Sequence, residues 1–377
     1  MLLADLGREI LRDLSGAPPA DLAAVLTAVP KTVGLKPSGL GTSAARAFLP
    51  PPQPTAEPRL FCPGPVRDDP ALGEQVNEAV VRWAAEAGIY PGRLEKLRAA
   101  NFGRLVMLTH PATDDPDRLL AATKCLVAEW AADDYYVDEV ALGADPAVVG
   151  SRLANLYAVV DPPGLPRAYA GDLTRHHRAR PISVAFRGAL DHLSRYTTAA
   201  QFGRFQHQLA IQSLGWGQEA DWHANRRTPR VWEYLVQRHL NSFLPPMLLI
   251  DVLAGYVVPP DEFHDPRTRR AFTTAGTAAV LVNDLYSASN ESDNDHNLPS
   301  VLVATEGLSH RDAVLRTVEI HNELMTDFVT AAAALGATGS PQLRRFLADT
   351  WAWLGGSREW HATSGRYHSS DSGGILC

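Results

Sequence analysis

From about residue 67 onward, apolar positions recur with a helical period, and the run is cut into segments by Gly, Pro or polar breaks. The pattern predicts helices near 70–87, 91–107, 115–140, 145–160, 180–212, 229–256, 265–291, 297–305, 309–335 and 340–363. Strand-like alternation is nearly absent, so the expected fold is all-α. Local chemistry supports individual boundaries: Asp115-Pro116 offers an N-cap and a first-turn proline to the segment carrying Leu119, Leu120, Leu126, Val127 and Trp130. Pro245 and Pro246 cannot donate to the carbonyls of Asn241 and Ser242, which leaves either a simple kink or a break whose freed carbonyls face a cavity. Repeats of roughly 30–45 residues, the mark of a helical scaffold, are not found.

Residues 1–60 differ. A short amphipathic piece around Leu2–Leu14 gives way to Ala/Pro/Gly/Ser-rich sequence ending in Leu49-Pro50-Pro51-Pro52-Gln53-Pro54. Proline at that density forbids helix and favours extended, solvated chain. The expected organisation is a mobile leader over 1–60 and one helical domain over 61–377.

Composition narrows the function. Of 377 residues, 45% are hydrophobic and 20% charged, enough apolar material for a sizeable interior. A net charge of −7 argues against a nucleic-acid protein, whose affinity would rest on clustered Lys and Arg. Cys62, Cys125 and Cys377 are too scattered for a disulfide framework or a zinc site, so a reducing cytoplasm is the expected setting. Charges interrupt the first residues too early for a secretory signal, and no run reaches the roughly 20 apolar residues of a membrane span. Cys377 stands last rather than fourth from the end, so it is not a prenylation box.

Two acidic or oxygen-rich helix ends carry candidate chemistry. Trp130-Ala131-Ala132-Asp133-Asp134-Tyr135-Tyr136-Val137-Asp138-Glu139 sets four carboxylates at the C-terminal end of an apolar helix, where the dipole already opposes negative charge. Asp134 and Asp138 lie one turn apart with Asp133 beside them; the cluster is either a solvated helix end or a divalent-cation site. Asn283, Ser287 and Glu291 stand at i, i+4 and i+8 and fall within an arc of roughly 80°. Their carbonyl, hydroxyl and carboxylate oxygens are hard donors that suit magnesium rather than zinc or copper.

Together these elements resemble the bacterial class I terpene synthases. That resemblance implies one helical bundle around an apolar active-site cavity, with three Mg²⁺ ions bound alongside diphosphate. It implies metal contacts from Asp133, Asp134, Asp138, Asn283, Ser287 and Glu291, the exact aspartate ligand being open. Arg238, in Trp232-Glu233-Tyr234-Leu235-Val236-Gln237-Arg238, looks like the family's diphosphate-sensing arginine, and the break after it like one that meets the ionising end of the substrate. The stretch from Trp353 to Tyr367 resembles the closing segment, which adds Trp360, Arg366 and Tyr367 to the expected catalytic set. The first motif departs from the common pattern as Asp-Asp-x-x-x-Asp-Glu, and Asn290 stands where the family usually has a cation, so the arginines must carry more of the anion.

A carbocation needs an apolar pocket with aromatic faces, for which Phe102, Tyr135, Trp216, Trp222, Trp351, Trp353 and Trp360 are candidates. His176-His177, His207, His223, His264, His296 and His361 show no metal spacing and are read as surface or packing residues. Arg226-Arg227 and Arg269-Arg270 are read as solvated, with Arg227 or Arg230 within possible reach of diphosphate.

The Pro-rich leader, the stretch Leu60-Phe61-Cys62-Pro63-Gly64-Pro65-Val66-Arg67-Asp68-Asp69-Pro70 and the first acidic motif look like the 2-methylisoborneol synthase branch of that family. The branch implies 2-methylgeranyl diphosphate as substrate, made by a partner geranyl diphosphate C-methyltransferase and cyclised through a bornyl-type cation to 2-methylisoborneol. Its implied alternatives are deprotonation to 2-methylenebornane and cyclisation of geranyl or farnesyl diphosphate. No membrane or nucleic-acid partner is expected, and a homodimer is the implied assembly. A chain-elongating prenyltransferase would carry two aspartate-rich motifs where this chain has one.

Overall fold

The computed structural model describes residues 59–138, 140–287 and 296–368. Among them every regular element is a helix, as the hydrophobic period predicts. Helix α1 (Pro70–Ala87) starts where Asp69 accepts from the Ala71 and Leu72 amides, and stops at Gly88, whose φ of 76° is left-handed. It buries Leu72, Val76, Val80, Val81 and Ala84.

Several expected helices are divided, each for a local reason. The segment over 91–107 is two helices, α2 (Leu94–Ala100) and α3 (Phe102–Thr109). Asn101 between them has φ 55° and accepts from the Arg104 amide, so one asparagine ends α2 and caps α3. Helix α4 (Pro116–Asp133) does not continue as α-helix to residue 140: Asp134–Asp138 form a π-turn, followed by a 3₁₀ turn at Val140–Leu142. The wider turn re-aims the side chains that follow Asp133.

Beyond α5 (Val149–Val160) lies α6 (Arg167–Arg178), which the hydrophobic pattern does not reveal because none of its residues is buried. The segment over 180–212 is α7 (Pro181–Leu193) and α8 (Ala199–Asn225). Thr198 and Gln201 exchange backbone and side-chain bonds of 3.0 and 3.2 Å, a capping box that starts α8 afresh. The segment over 229–256 becomes α9 (Val231–Leu240), α10 (Leu244–Met247) and α11 (Ile250–Leu253), broken where Pro245 and Pro246 demand it. A short α12 (Pro260–Phe263) leads into α13 (Pro266–Ser287), and α14 (Leu298–Glu306), α15 (His310–Thr338), α16 (Pro341–Thr363) and α17 (Gly365–His368) complete the bundle.

Helix α13 lies against α15 and α16, α4 packs on α7 and α1, and α3 is held between α1 and α16. Two large apolar clusters result, one built on α1, α3, α4, α5 and α7 and the other on α13, α15 and α16; Trp130 and Tyr286 pack against both. Ahead of α1, Leu60 is buried and the Phe61 amide donates to Asn322 on α15 at 2.7 Å. Residues 1–58, with most of the expected leader, lie outside the described residues. No described helix is long and apolar enough to cross a membrane.

The approach of α16 to α3 depends on Gly356. A Cβ there would lie 2.4 Å from the Leu108 carbonyl oxygen and 2.5 Å from its carbon, both backbone atoms that cannot swing aside. Gly356→Ala is therefore expected to destabilise the fold by about 1–3 kcal/mol, the usual range for overpacking. Urea unfolding checks this, and an unchanged midpoint would show that the two helices can separate at little cost.

Candidate active site

The C-terminal turns of α4 supply one wall of a cleft with about 490 Å³ of empty space. Leu126, Glu129, Trp130 and Asp133 line it from α4, Gln212 and Trp216 from α8, and Val280 and Asn283 from α13. The broken segment after α9 closes it with Asn241, Ser242, Phe243 and Pro246, and Arg238 reaches it from the last turn of α9. The proline break thus faces the cavity rather than serving only as a kink.

Of the first acidic motif, Asp133 is the member that lines the cleft. Its Oδ1 is buried without a hydrogen bond among the described residues. Burial first, then the neighbouring Glu219 and Asp134 carboxylates, push its pKa well above the usual range, while Arg238 and Arg366 pull it down. Asp134 turns instead to Tyr90, whose hydroxyl donates to it in the interior. Asp138 is half-buried at the end of the π-turn and, like Asp134, is not part of the cleft lining. Glu139 falls outside the described residues.

Of the second motif, Asn283 lines the same cleft, its Nδ2 3.4 Å from His361 Nε2. Ser287, one turn on, is 7% exposed, and its Oγ has no hydrogen-bond partner among the described residues. Asn290 and Glu291 lie outside the described residues. The structure therefore brings Asp133 and Asn283 to one cavity, with Ser287 on the face of α13 that carries Asn283.

Arg238 is held in place by a residue that the sequence motifs do not single out. Asp284, fully buried, accepts from Arg238 Nε at 3.0 Å and Nη2 at 2.8 Å, from the Tyr234 hydroxyl at 2.8 Å and from the Leu298 amide at 3.0 Å. A charge that continues the buried face of the helix just beyond the apolar run Ala278-Ala279-Val280-Leu281-Val282 must be paired, which is the signal that could have found it. Tyr234 in turn accepts from Arg238 Nε at 2.8 Å. The arginine is thus oriented by a buried carboxylate and a phenol.

The closing segment divides between packing and the cleft. Arg366, half-buried, sets its guanidinium 5.1 Å from the centroid of the Trp130 ring. Trp360 is fully buried behind that ring: its Nε1 donates to the Ala100 and Asn101 carbonyls at 2.9 and 3.1 Å, and it stacks on Phe102. It is not among the lining residues. The backbone of Tyr367 belongs to α17.

Among the aromatic candidates Trp216 lines the cleft, whereas Phe102, Tyr135, Trp222, Trp351, Trp353 and Trp360 do not. Trp130 and Phe243 do, and were not singled out; each stands beside a motif residue, three before Asp133 and within the proline break. His361 is more than packing. It is fully buried, pushed by desolvation to a pKa of about 3 and hence neutral, donates from Nδ1 to the Ser357 carbonyl at 2.8 Å, and so accepts at Nε2 from Asn283 Nδ2. Arg227 is engaged by Glu233 at 3.0 Å near the surface.

The donors present fit a hard divalent cation. Asp133 Oδ1 and Ser287 Oγ are buried oxygens that the described protein does not satisfy, and Asn283 offers an amide oxygen. Buried polar atoms without partners are costly unless a ligand completes them.

A helical bundle whose cleft, part aromatic and aliphatic and part polar, joins an aspartate-bearing helix end to an Asn/Ser helix face has the architecture of a class I terpene synthase. The family model described as "Terpene synthase family 2, C-terminal metal binding" matches residues 124–327, more than half of the chain, and the chain belongs to this family. It is similar to the 2-methylisoborneol synthase of Streptomyces ambofaciens, at 35% identity over 95% of this chain and 80% of that one. It is also similar to the 2-methylisoborneol synthase of Streptomyces coelicolor A3(2) in complex with Mg²⁺ and 2-fluoroneryl diphosphate, with a TM-score of 0.78 and 34% identity over 83% of this chain and 98% of that one. A 4-epi-cubebol synthase of Streptosporangium roseum, described as cyclising farnesyl diphosphate, is 25% identical over 87% of this chain and 96% of its own.

Proposed function

We propose that the protein is a magnesium-dependent cyclase that ionises 2-methylgeranyl diphosphate and closes it through a bornyl-type cation to 2-methylisoborneol. The reading is carried by one observation: Asp133, Asn283 and Arg238 meet at one cleft whose remaining wall includes Leu126, Trp130, Trp216, Phe243 and Val280. The choice of a C11 substrate is supported by the 35% identity to 2-methylisoborneol synthases over nearly the whole chain.

In this reading Asp133, Asn283, Ser287 and Glu291 hold Mg²⁺, which when bound neutralises charge gathering on the leaving diphosphate. Arg238, steadied by Asp284 and Tyr234, and Arg366, poised over Trp130, turn their guanidinium groups to the same anion. Trp130, Trp216 and Phe243 present π-faces to the cation and keep water from it except where the reaction needs it. Asp134 then supports the site through Tyr90. The substrate's additional methyl implies a supplying methyltransferase that acts on geranyl diphosphate.

One methyl group in an apolar pocket is worth about 1–3 kcal/mol, so geranyl diphosphate should be turned over with roughly 10–200-fold lower kcat/KM. Product chromatography with purified protein, Mg²⁺ and the three prenyl diphosphates checks the assignment. A preference for farnesyl diphosphate would sink it.

A further inference from the structure

Two polar side chains in the cleft are not explained by metal or diphosphate binding. Glu129 stands one turn before Asp133 on α4, roughly 6 Å back along the helix axis. Gln212 faces it from α8. Both line the cleft, and they are 5% and 7% exposed. The Gln212 side chain hydrogen-bonds the Glu129 carboxyl, yet Glu129 Oε1 and Gln212 Oε1 remain without a hydrogen-bond partner among the described residues. Their neighbours in the wall are Leu126, Trp130 and Trp216, and a hydrocarbon chain gives two oxygens nothing to bind. Polar atoms so placed in protein interiors typically carry an ordered water.

We propose that Glu129 and Gln212 together hold a water molecule at the wall of the cleft, and that this water captures the final carbocation. The pair thereby decides between an alcohol and a hydrocarbon product. The inference rests on the cyclase reading above. Gln212 Oε1 accepts one hydrogen bond from the water, and the Glu129 carboxyl takes the second contact. This leaves an oxygen lone pair for the cation. Capture forms the C–O bond from that lone pair, and the oxonium proton passes to the released diphosphate, the base that the ionisation itself supplies. Without a held water, the same diphosphate takes a proton from the carbon next to the cationic centre, and the C–H pair becomes the alkene bond. Burial pushes the Glu129 carboxyl well above the usual carboxylate range, which disfavours the charged form that would compete as a base or nucleophile.

The test has two readouts. Crystals of the full chain should show ordered density within hydrogen-bond distance of Glu129 Oε1 and Gln212 Oε1, and lose it in Gln212→Leu. With Mg²⁺ and 2-methylgeranyl diphosphate in ¹⁸O-water, Glu129→Leu and Gln212→Leu should each shift the alcohol-to-alkene ratio toward alkene by about tenfold or more, as loss of one hydrogen bond allows. Glu129→Gln, which keeps polar atoms there, should stay near the wild-type ratio and so separate water binding from mere packing. Three results would overturn the proposal: no ordered water in the wild-type crystal, an exclusively hydrocarbon wild-type product, or an unchanged ratio in both leucine variants. The wild-type density decides even if a leucine variant fails to fold. If another prenyl diphosphate is the preferred substrate, the substrate assignment fails, while the density and the ratio measured on that substrate still decide the water site.

Discussion

Asp284→Ala is expected to be among the most damaging single substitutions in the protein, lowering stability by about 3–5 kcal/mol, as removal of one partner from a buried ion pair does. Asp284 is fully buried and the Arg238 side chain is 11% exposed, so the substitution takes the charged partner away from a largely buried guanidinium. The Leu298 amide loses its acceptor at once, and the Tyr234 hydroxyl loses one of two, keeping the His296 carbonyl at 3.1 Å. The Leu298 amide opens α14, so the damage should reach the start of that helix. Activity falls for a separate reason: Arg238 loses the group that aims it. The double variant Asp284→Leu with Arg238→Leu separates the two effects. It removes both charges, and its unfolding free energy should recover most of the loss while turnover stays abolished. If the single variant unfolds at the wild-type denaturant midpoint, the pair is not the buried clamp described above.

This clamp marks where sequence reading stops. The helical period, the Asp115 cap and the proline break near 245 were legible because each depends on a few adjacent residues. Asn101, whose left-handed backbone and side-chain cap split one expected helix, and the π-turn at Asp134–Asp138 were not legible, because the apolar period runs through both. Helix α6 was missed for a simpler reason: it is mostly polar and charged, and it buries no residue in the core. At the site the pattern is similar. Asp133, Arg238 and Asn283, named from motif and resemblance, are brought to one cleft by the structure. Asp284, Tyr90, Glu129, Gln212 and His361 make their contacts across the bundle, with partners far away in the chain. Tyr90 contacts Asp134 across 44 residues and His361 contacts Asn283 across 78, so no local spacing could have announced either pair.

The Trp360 expectation shows the same limit from the other side. Its place in the closing segment suggested contact with the reacting species, but its indole N–H is committed to the Ala100 and Asn101 carbonyls, where it stitches α16 to the α2–α3 junction. The ring supports Trp130, which does line the cleft. Resemblance located the right layer of the protein and left the depth within it to be read from coordinates.

Ser287→Ala should separate function from stability in a way that few substitutions can. The Ser287 hydroxyl is buried with no hydrogen-bond partner among the described residues, so in metal-free protein it is a desolvated dipole that contributes nothing favourable. Removing it should leave the melting temperature of the metal-free protein unchanged or slightly raised, because an unsatisfied buried polar group costs about 1–3 kcal/mol. Turnover should nevertheless fall by at least about 100-fold, since even groups that merely orient metal ligands are worth 10–100-fold. Asn283→Ala should match it in turnover but not in stability, because that side chain also contacts His361. A third readout ties the two together: Mg²⁺ with inorganic diphosphate should raise the melting temperature of the wild-type protein, as any ligand of the native state does, and raise that of Ser287→Ala much less. Wild-type turnover in the serine variant, with an undiminished stabilisation by Mg²⁺ and diphosphate, would remove Ser287 from the metal site and leave its unsatisfied hydroxyl without a purpose.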